Sequence, residues 1–176
     1  MRRGSLVLLV LTLLFLIGCT AIPVKLHREV VKTNEIFIDR VEVFDGLKQD
    51  FFTGSIKELG TLVNVDRNPR YQKLVESYLS VLKRQLEDEG FVVTNSLKDK
   101  GLLLTTKIAD DRPTKGFFGY TLFGQGVVVV QIAIHQDNNL ILSFAEGAPY
   151  SIFSIETQVK RLTPRIAAKI KENLLR

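Results

Sequence analysis

The sequence predicts an α/β fold of the α+β type, a small mixed β-sheet with two amphipathic helices packed on one face, in the order β-α-β-β-β-β-α. Three stretches carry that prediction. Tyr71, Leu74, Val75, Tyr78, Leu79, Leu82 and Leu86 recur at helical spacing between Asn68-Pro69 and Gly90. Gly126 to Gln136 (GVVVVQIAIHQ) is rich in β-branched residues and is followed by a turn and a second apolar run. Ile155, Val159, Leu162, Ile166, Ile170 and Leu174 form a second helical stripe near the end of the chain.

Glu35 to Phe44 (EIFIDRVEVF) is predicted as the first strand, from its β-branched and aromatic content, with Asp45-Gly46 ending it. Residues 46–67 contain three glycines and fit no single period; a short strand near Thr61 to Val65 is one reading. Asn68 is placed to cap the first helix through its side-chain oxygen. Pro69 suits the first helical position, where no backbone donor is needed, and Gly90 can end the helix in the left-handed region. Phe91 to Thr94 and Leu102 to Ala109 are predicted as strands. Gly126 to Gln136 and Leu140 to Ala145 should pair as an antiparallel hairpin across Asp137-Asn138-Asn139, since Asn and Asp tolerate left-handed turns. In the last stripe Pro164 removes a backbone donor. Thr163-Pro164 repeats the logic of Asn68-Pro69: either one helix is kinked there or, the favoured reading, a break precedes a helix of about 164–175.

The chain begins with a targeting segment. Met1-Arg2-Arg3-Gly4-Ser5 is positive, Leu6 to Ile17 is apolar except for Thr12, and Gly18 precedes Cys19. That order is what export machinery reads, and the apolar run is short for a permanent membrane span. The alternative is an uncleaved signal anchor. Cys19 is the one cysteine, and an exported chain with a lone thiol needs a use for it. Leu16-Ile17-Gly18-Cys19 resembles a bacterial lipobox, in which the cysteine sulfur is acylated. Several acyl chains, palmitate among them, make a stable anchor where one does not. Thr20 stands where an aspartate would resemble the inner-membrane retention signal, which favours an outer membrane. The expected divisions are therefore a signal peptide over 1–18, a lipidated tether over 19–34 and one periplasmic domain over 35–176. Subtracting Arg2 and Arg3 from the +5 of the whole chain leaves +3 on the mature part, too little for a nucleic-acid partner.

Three motifs carry a family resemblance: the capped helix ending in EDEGFVVT, the strand pair GQGVVVVQIAIHQDNNLILSF and the closing RIAAKIKENLL. Over roughly residues 35–175 they resemble small envelope lipoproteins related to the periplasmic domains of curli-secretion-channel and penicillin-binding-protein-activator proteins. The resemblance implies a fold and a location and no site. The Asp-Asn-Asn turn departs from the aspartate and glycine that such relatives tend to show.

No stretch carries a catalytic or cofactor signature. His27 lies in the tether and His135 near the hairpin turn, where it is expected at a sheet edge; no H-x-x-x-H or Cys-rich spacing exists, so neither metal nor cofactor is expected. Asp110-Asp111 beside Arg112-Pro113 has ordinary turn composition, and Asp39, Glu42 and Asp45 could meet only across a bend. Gly116, Gly119, Gly124 and Gly126 lead into a strand rather than a helix, which excludes a phosphate loop. Two segments remain as contact candidates. Arg161, Arg165 and Lys169 share one helix face that could meet anionic headgroups or simply be solvated. Phe117, Phe118, Tyr120 and Phe123 crowd between glycines, either as a loop meeting a partner or membrane or as rings that finish the core. The expected role is a non-enzymatic, membrane-anchored protein-binding or accessory module. The alternatives are a subunit of an oligomeric outer-membrane secretion channel, and a periplasmic hydrolase or lipid carrier.

Overall fold

The computed structural model describes residues 22–27, 33–49, 56–111, 126–150 and 154–175. Within them seven strands form one sheet: β1 (Ile22–Leu26), β2 (Glu35–Gln49), β3 (Ile56–Leu62), β4 (Val92–Thr94), β5 (Leu102–Asp111), β6 (Gly126–Gln136) and β7 (Asn139–Tyr150). Two helices, α1 (Pro69–Asp88) and α2 (Ile155–Leu174), pack on one face. The strand order is β1-β7-β6-β5-β2-β3, with β4 pairing β2 beyond the end of β3. β2 runs parallel to β4 and β5, and the other pairings are antiparallel. The predicted α+β architecture is the observed one, with β1 and β3 added at the two edges.

The covered face is built by alternation. Leu102, Leu104, Thr106, Ile108 and Asp110 of β5 are buried, and so are Val128, Val130, Ile132 and Ile134 of β6. Against them lie Tyr71, Leu74, Tyr78, Leu82 and Leu86 of α1 and the whole stripe from Ile155 to Leu174 of α2. Leu79 and Val75 sit half-buried at the margin of the α1 stripe. Two phenols tie α1 to β5. The Tyr71 hydroxyl donates to Asp110 Oδ2 at 3.0 Å, and the Tyr78 hydroxyl lies 3.2 Å from Thr106 Oγ1. Burial pushes the Tyr78 phenol above its ordinary range, outweighing the Thr106 bond, so it stays protonated.

Several local expectations need correcting. Asn68 caps α1 through its backbone: its carbonyl accepts from the Tyr71 and Gln72 amides at 3.0 and 2.9 Å, and its side chain makes no cap bond. The break expected at Pro164 does not occur, and α2 runs unbroken from Ile155. Its real cap is Ser154, whose side chain accepts from the Thr157 amide at 3.2 Å. Thr163, expected as a cap, is buried and its hydroxyl donates to the Val159 carbonyl at 2.8 Å. Apolar residues on both sides of Pro164 face one core, and their burial outweighs the single backbone bond that proline removes. Strand β2 continues through Gly46, which adopts φ +100, because β3 supplies partners as far as Gln49. Gly60 is required beside it, since a Cβ there would come within 2.1 Å of the Asp45 carbonyl oxygen. Ile22–Leu26, read from sequence as part of a tether, is an edge strand held by β7. The hairpin turn is tighter than expected: Gln136 pairs Asn139, leaving Asp137 and Asn138, both left-handed, as a two-residue loop.

The sheet has two distinct ends. At one, called here the near end, β2, β5 and β7 finish and β3 and β6 begin. The far end carries the Asp137-Asn138 turn and the 95–101 connection between β4 and β5.

Candidate functional site

The face of the sheet opposite the helices is the candidate surface. On β5 the alternation turns Leu103, Thr105 and Lys107 toward it, and on β6 Gln131, Ala133 and His135. Lys25 of β1 faces Ser143 of β7 in the same layer. Lys25, Thr105, Lys107, Gln131, Ala133 and Ser143 line a pocket of about 320 Å³ there. Two lysines and two hydroxyls sit there in a lining that is mostly apolar. Lys107 Nζ stands 3.8 Å from Glu42 Oε2 and 5.8 Å from the centre of the Phe44 ring. Glu42 is shared with Arg40 at 3.3 Å. His27 closes one side: its amide donates to the Ile141 carbonyl at 2.8 Å, and its Nε2 lies 3.0 Å from Ser143 Oγ.

A second pocket, of about 270 Å³, opens at the far end between the 97–101 connection, His135 and the hairpin turn. His135 was expected at a sheet edge, but β6 is an interior strand, and the residue pairs Leu103 and Leu140 near the strand's end. Its Nδ1 is buried with no hydrogen-bond partner among the described residues. Lys98 is tied down by Glu35 at 2.7 Å.

The acidic pairs resolve into structural roles. Asp110 and Asp111 are the last residues of β5 rather than a turn, and Asp110 is fully buried with Arg70 at 3.2 Å and the Tyr71 hydroxyl. Asp111 faces the other way. Partial burial and then the charge of Asp110 raise its carboxyl above the usual range. Asp39 and Glu42 are separated by an irregularity in β2 pairing between Ile38 and Val41, and Glu42 binds cations instead. Among the described residues no group of three or more His, Cys, Asp or Glu side chains could hold a metal ion.

Of the contact candidates read from sequence, Arg161 and Arg165 are exposed on α2, whereas Lys169 is half-buried. Lys169 bonds Glu146 of β7 and lies 5.8 Å from the centre of the Phe144 ring. Lys169 therefore joins α2 to the sheet instead of completing a solvated cationic stripe. Cys19, and the segment with Phe117, Phe118, Tyr120 and Phe123, lie outside the described residues. The open-face pocket was missed from sequence although its signal was present. Thr105 and Lys107 share one parity of their strand, and Gln131 and His135 share one parity of theirs, the pattern of a half-covered sheet.

The fold and surface define an α+β domain with a seven-stranded mixed sheet, two helices on one face and an open face bearing a shallow pocket. No protein-family model and no curated protein matches the chain. Similar solved structures include a PelC dodecamer from Paraburkholderia phytofirmans, 11% identical over 84% of this chain and 94% of that one, with a TM-score of 0.49. An uncharacterised protein is 14% identical over 82% and 95%, with a TM-score of 0.42. The rare lipoprotein B from Shewanella oneidensis is 11% identical over 76% and 92%, with a TM-score of 0.38. At these scores the likeness carries no argument about role. Neither named neighbour is a curli-channel or penicillin-binding-protein-activator domain, so that resemblance stands on the sequence motifs alone.

Proposed function

We propose that this chain is an exported envelope lipoprotein, acylated at Cys19 and held at the outer membrane facing the periplasm, whose domain binds a protein partner without catalysing a reaction. The observation that carries the proposal is Leu16-Ile17-Gly18-Cys19 at the end of a positive and then apolar leader, in a chain with a single cysteine. The anchor in this proposal is the acylated cysteine, several acyl chains making a stable attachment; no helix among the described residues is long and apolar enough to cross a membrane. The non-enzymatic part is supported by how the buried polar groups are used. Asp110, Thr106 and Glu146 each bind a side chain from a packed helix, which commits them to holding elements together. The surface assigned to the partner is the open face around Lys25, Lys107 and Gln131.

The direct test is Cys19→Ser in the full chain, expressed in a Gram-negative host with an alkyne fatty acid. The expected result is an unprocessed precursor without label, beside a shorter, labelled wild type. Normal processing and labelling of the variant would end the lipoprotein assignment.

A further inference from the structure

We propose that the pocket at the far end of the sheet binds a small zwitterion, an α-amino acid with an apolar side chain. The site adds a ligand to the domain and depends neither on the lipid anchor nor on a partner at the open face.

The pocket is held open by named bonds. One side is the cross-strand pair Leu103 and His135, a row beyond Thr105 and Ala133. The opposite side is the 97–101 connection, which is pinned along its length. The Gly101 amide donates to the Lys98 carbonyl at 2.9 Å, and the Lys98 ammonium donates to Glu35 at 2.7 Å. The side-chain amide of Gln136, itself 5% exposed, donates to the Lys100 carbonyl at 2.9 Å. The resulting concavity of about 270 Å³ is smaller than the usual site for a drug-sized ligand, so its occupant is small.

Unusual backbone gathers around the same pocket. Among the described residues, the non-glycine positions with left-handed φ are Lys100 at +59, Asp137 at +50 and Asn138 at +62, and all of them line it. Aspartate and asparagine adopt that region readily in a two-residue turn, but lysine does not, and glycine would be the cheaper residue at position 100. Residues held in such conformations cluster where ligands are bound. A lysine standing there against a backbone cost points to a use for its ammonium.

The polar groups of the pocket define the ligand. Lys98 is committed to Glu35, whereas the Lys100 ammonium and the Asp99 and Asp137 carboxylates have no partner among the described residues. His135 Nδ1 is buried without a partner. Buried N–H groups lacking an acceptor are rare, which places the ring proton on Nε2. Nε2 is not buried in this way and bonds nothing among the described residues, so it is the donor left for a ligand. Two carboxylates suit an ammonium, and Lys100 with His135 suits a carboxylate. A molecule with both charges uses both sets, and one with a single charge leaves a set idle. Leu97, 49% exposed, and Leu103 offer apolar contact to its side chain.

The test uses the full-length lipidated protein in detergent micelles, with L-leucine as the probe. Isoamylamine and 4-methylpentanoate serve as analogues lacking the carboxylate and the amine. The chain has two histidines, so labelled imidazoles give two sets of NMR signals, assigned with His27→Gln. Millimolar L-leucine should shift the His135 signals and leave those of His27 in place. By calorimetry each analogue should bind about tenfold more weakly than L-leucine, the loss of one charge-assisted hydrogen bond. Lys100→Gly suits the left-handed backbone, so it should keep a cooperative thermal transition and still lose about tenfold in L-leucine affinity. Asp137→Asn keeps the turn conformation, and should weaken L-leucine and isoamylamine while sparing 4-methylpentanoate. Unmoved His135 signals would remove the site. Isoamylamine binding as tightly as L-leucine, or undiminished affinity in Lys100→Gly, would overturn the assignment to a zwitterion.

Discussion

Asp110 and Asp111 are neighbours in sequence with opposite surroundings, because successive residues of a strand face opposite sides of a sheet. Asp110 points under α1, where Arg70 and the Tyr71 hydroxyl bind its carboxylate, and the Arg70 guanidinium also stands 5.5 Å from the Tyr71 ring centre. Removing one partner of such a buried carboxylate would leave a polar group unsatisfied, at about 1–3 kcal/mol. Asp111 shows no such partner among the described residues, and its carboxyl is raised, first by partial burial and then by the charge of Asp110. A carboxyl with a folded pKa above its unfolded value holds its proton more tightly in the folded state. Its ionised form therefore destabilises the fold above that pKa, and the penalty is relieved as pH falls through it. Asp111→Asn should accordingly raise the thermal midpoint at neutral pH, and its advantage over wild type should shrink in mild acid. Midpoints that differ by the same amount at every pH would show that Asp111 carries no such strain.

At the scale of elements, the two helices show how far a stripe can be trusted. In α1 the stripe residues are not equivalent. Leu82 is fully buried, whereas Leu79 is half-buried at the margin. Leu82→Ala should therefore cost about 2–5 kcal/mol, Leu79→Ala clearly less, and Lys83→Ala, on the exposed side, close to nothing. Chemical denaturation of the three variants decides this, and equal losses for Leu79 and Leu82 would contradict the packing. The stripe of α2 was legible from Ile155 to Leu174, but its continuity was not. A proline inside a helix costs stability locally. Whether the helix continues past it depends on how much apolar surface is buried beyond it, and here Ile166, Ala167, Ile170 and Leu174 all are. Glu156 adds a surface pair with Lys160 at 2.9 Å, whose hydrogen bond holds the Glu156 carboxyl below its usual range, a minor contribution at an exposed site.

For the whole molecule, the sheet separates two surfaces. One face is covered by the helices, and the open face with Lys25 and Lys107 is the one assigned to a partner under the proposed function. That division predicts where contacts form in cells. A photo-crosslinking amino acid at Lys107, exposed on the open face, should yield a discrete crosslinked product. The same group at Lys83, on the outer side of α1, should yield none. Crosslinks of equal strength at both positions, or at Lys83 alone, would remove the open face from the proposed function.

Features set by local chemistry could be read along the chain. The Asn68-Pro69 start and Gly90 stop bound α1, with Gly90 at φ +97. The β-branched run from Gly126 made β6, the Asp-Asn-Asn stretch marked its hairpin turn, though not the two-residue loop, and the leader pattern set the expectation for Cys19. Features that need partners distant in the chain emerge only in the folded sheet. Ile22–Leu26 has no strand period of its own and becomes β1 because β7 offers an unpaired edge. Residues 45–49 and 56–62 form strands by pairing each other across Gly46 and Gly60. The open-face pocket exists only once β1, β5, β6 and β7 lie side by side. Period and capping are properties of a few adjacent residues, so they can be read along the chain. Edge pairing and the sharing of a face or an end depend on residues that the sequence keeps far apart.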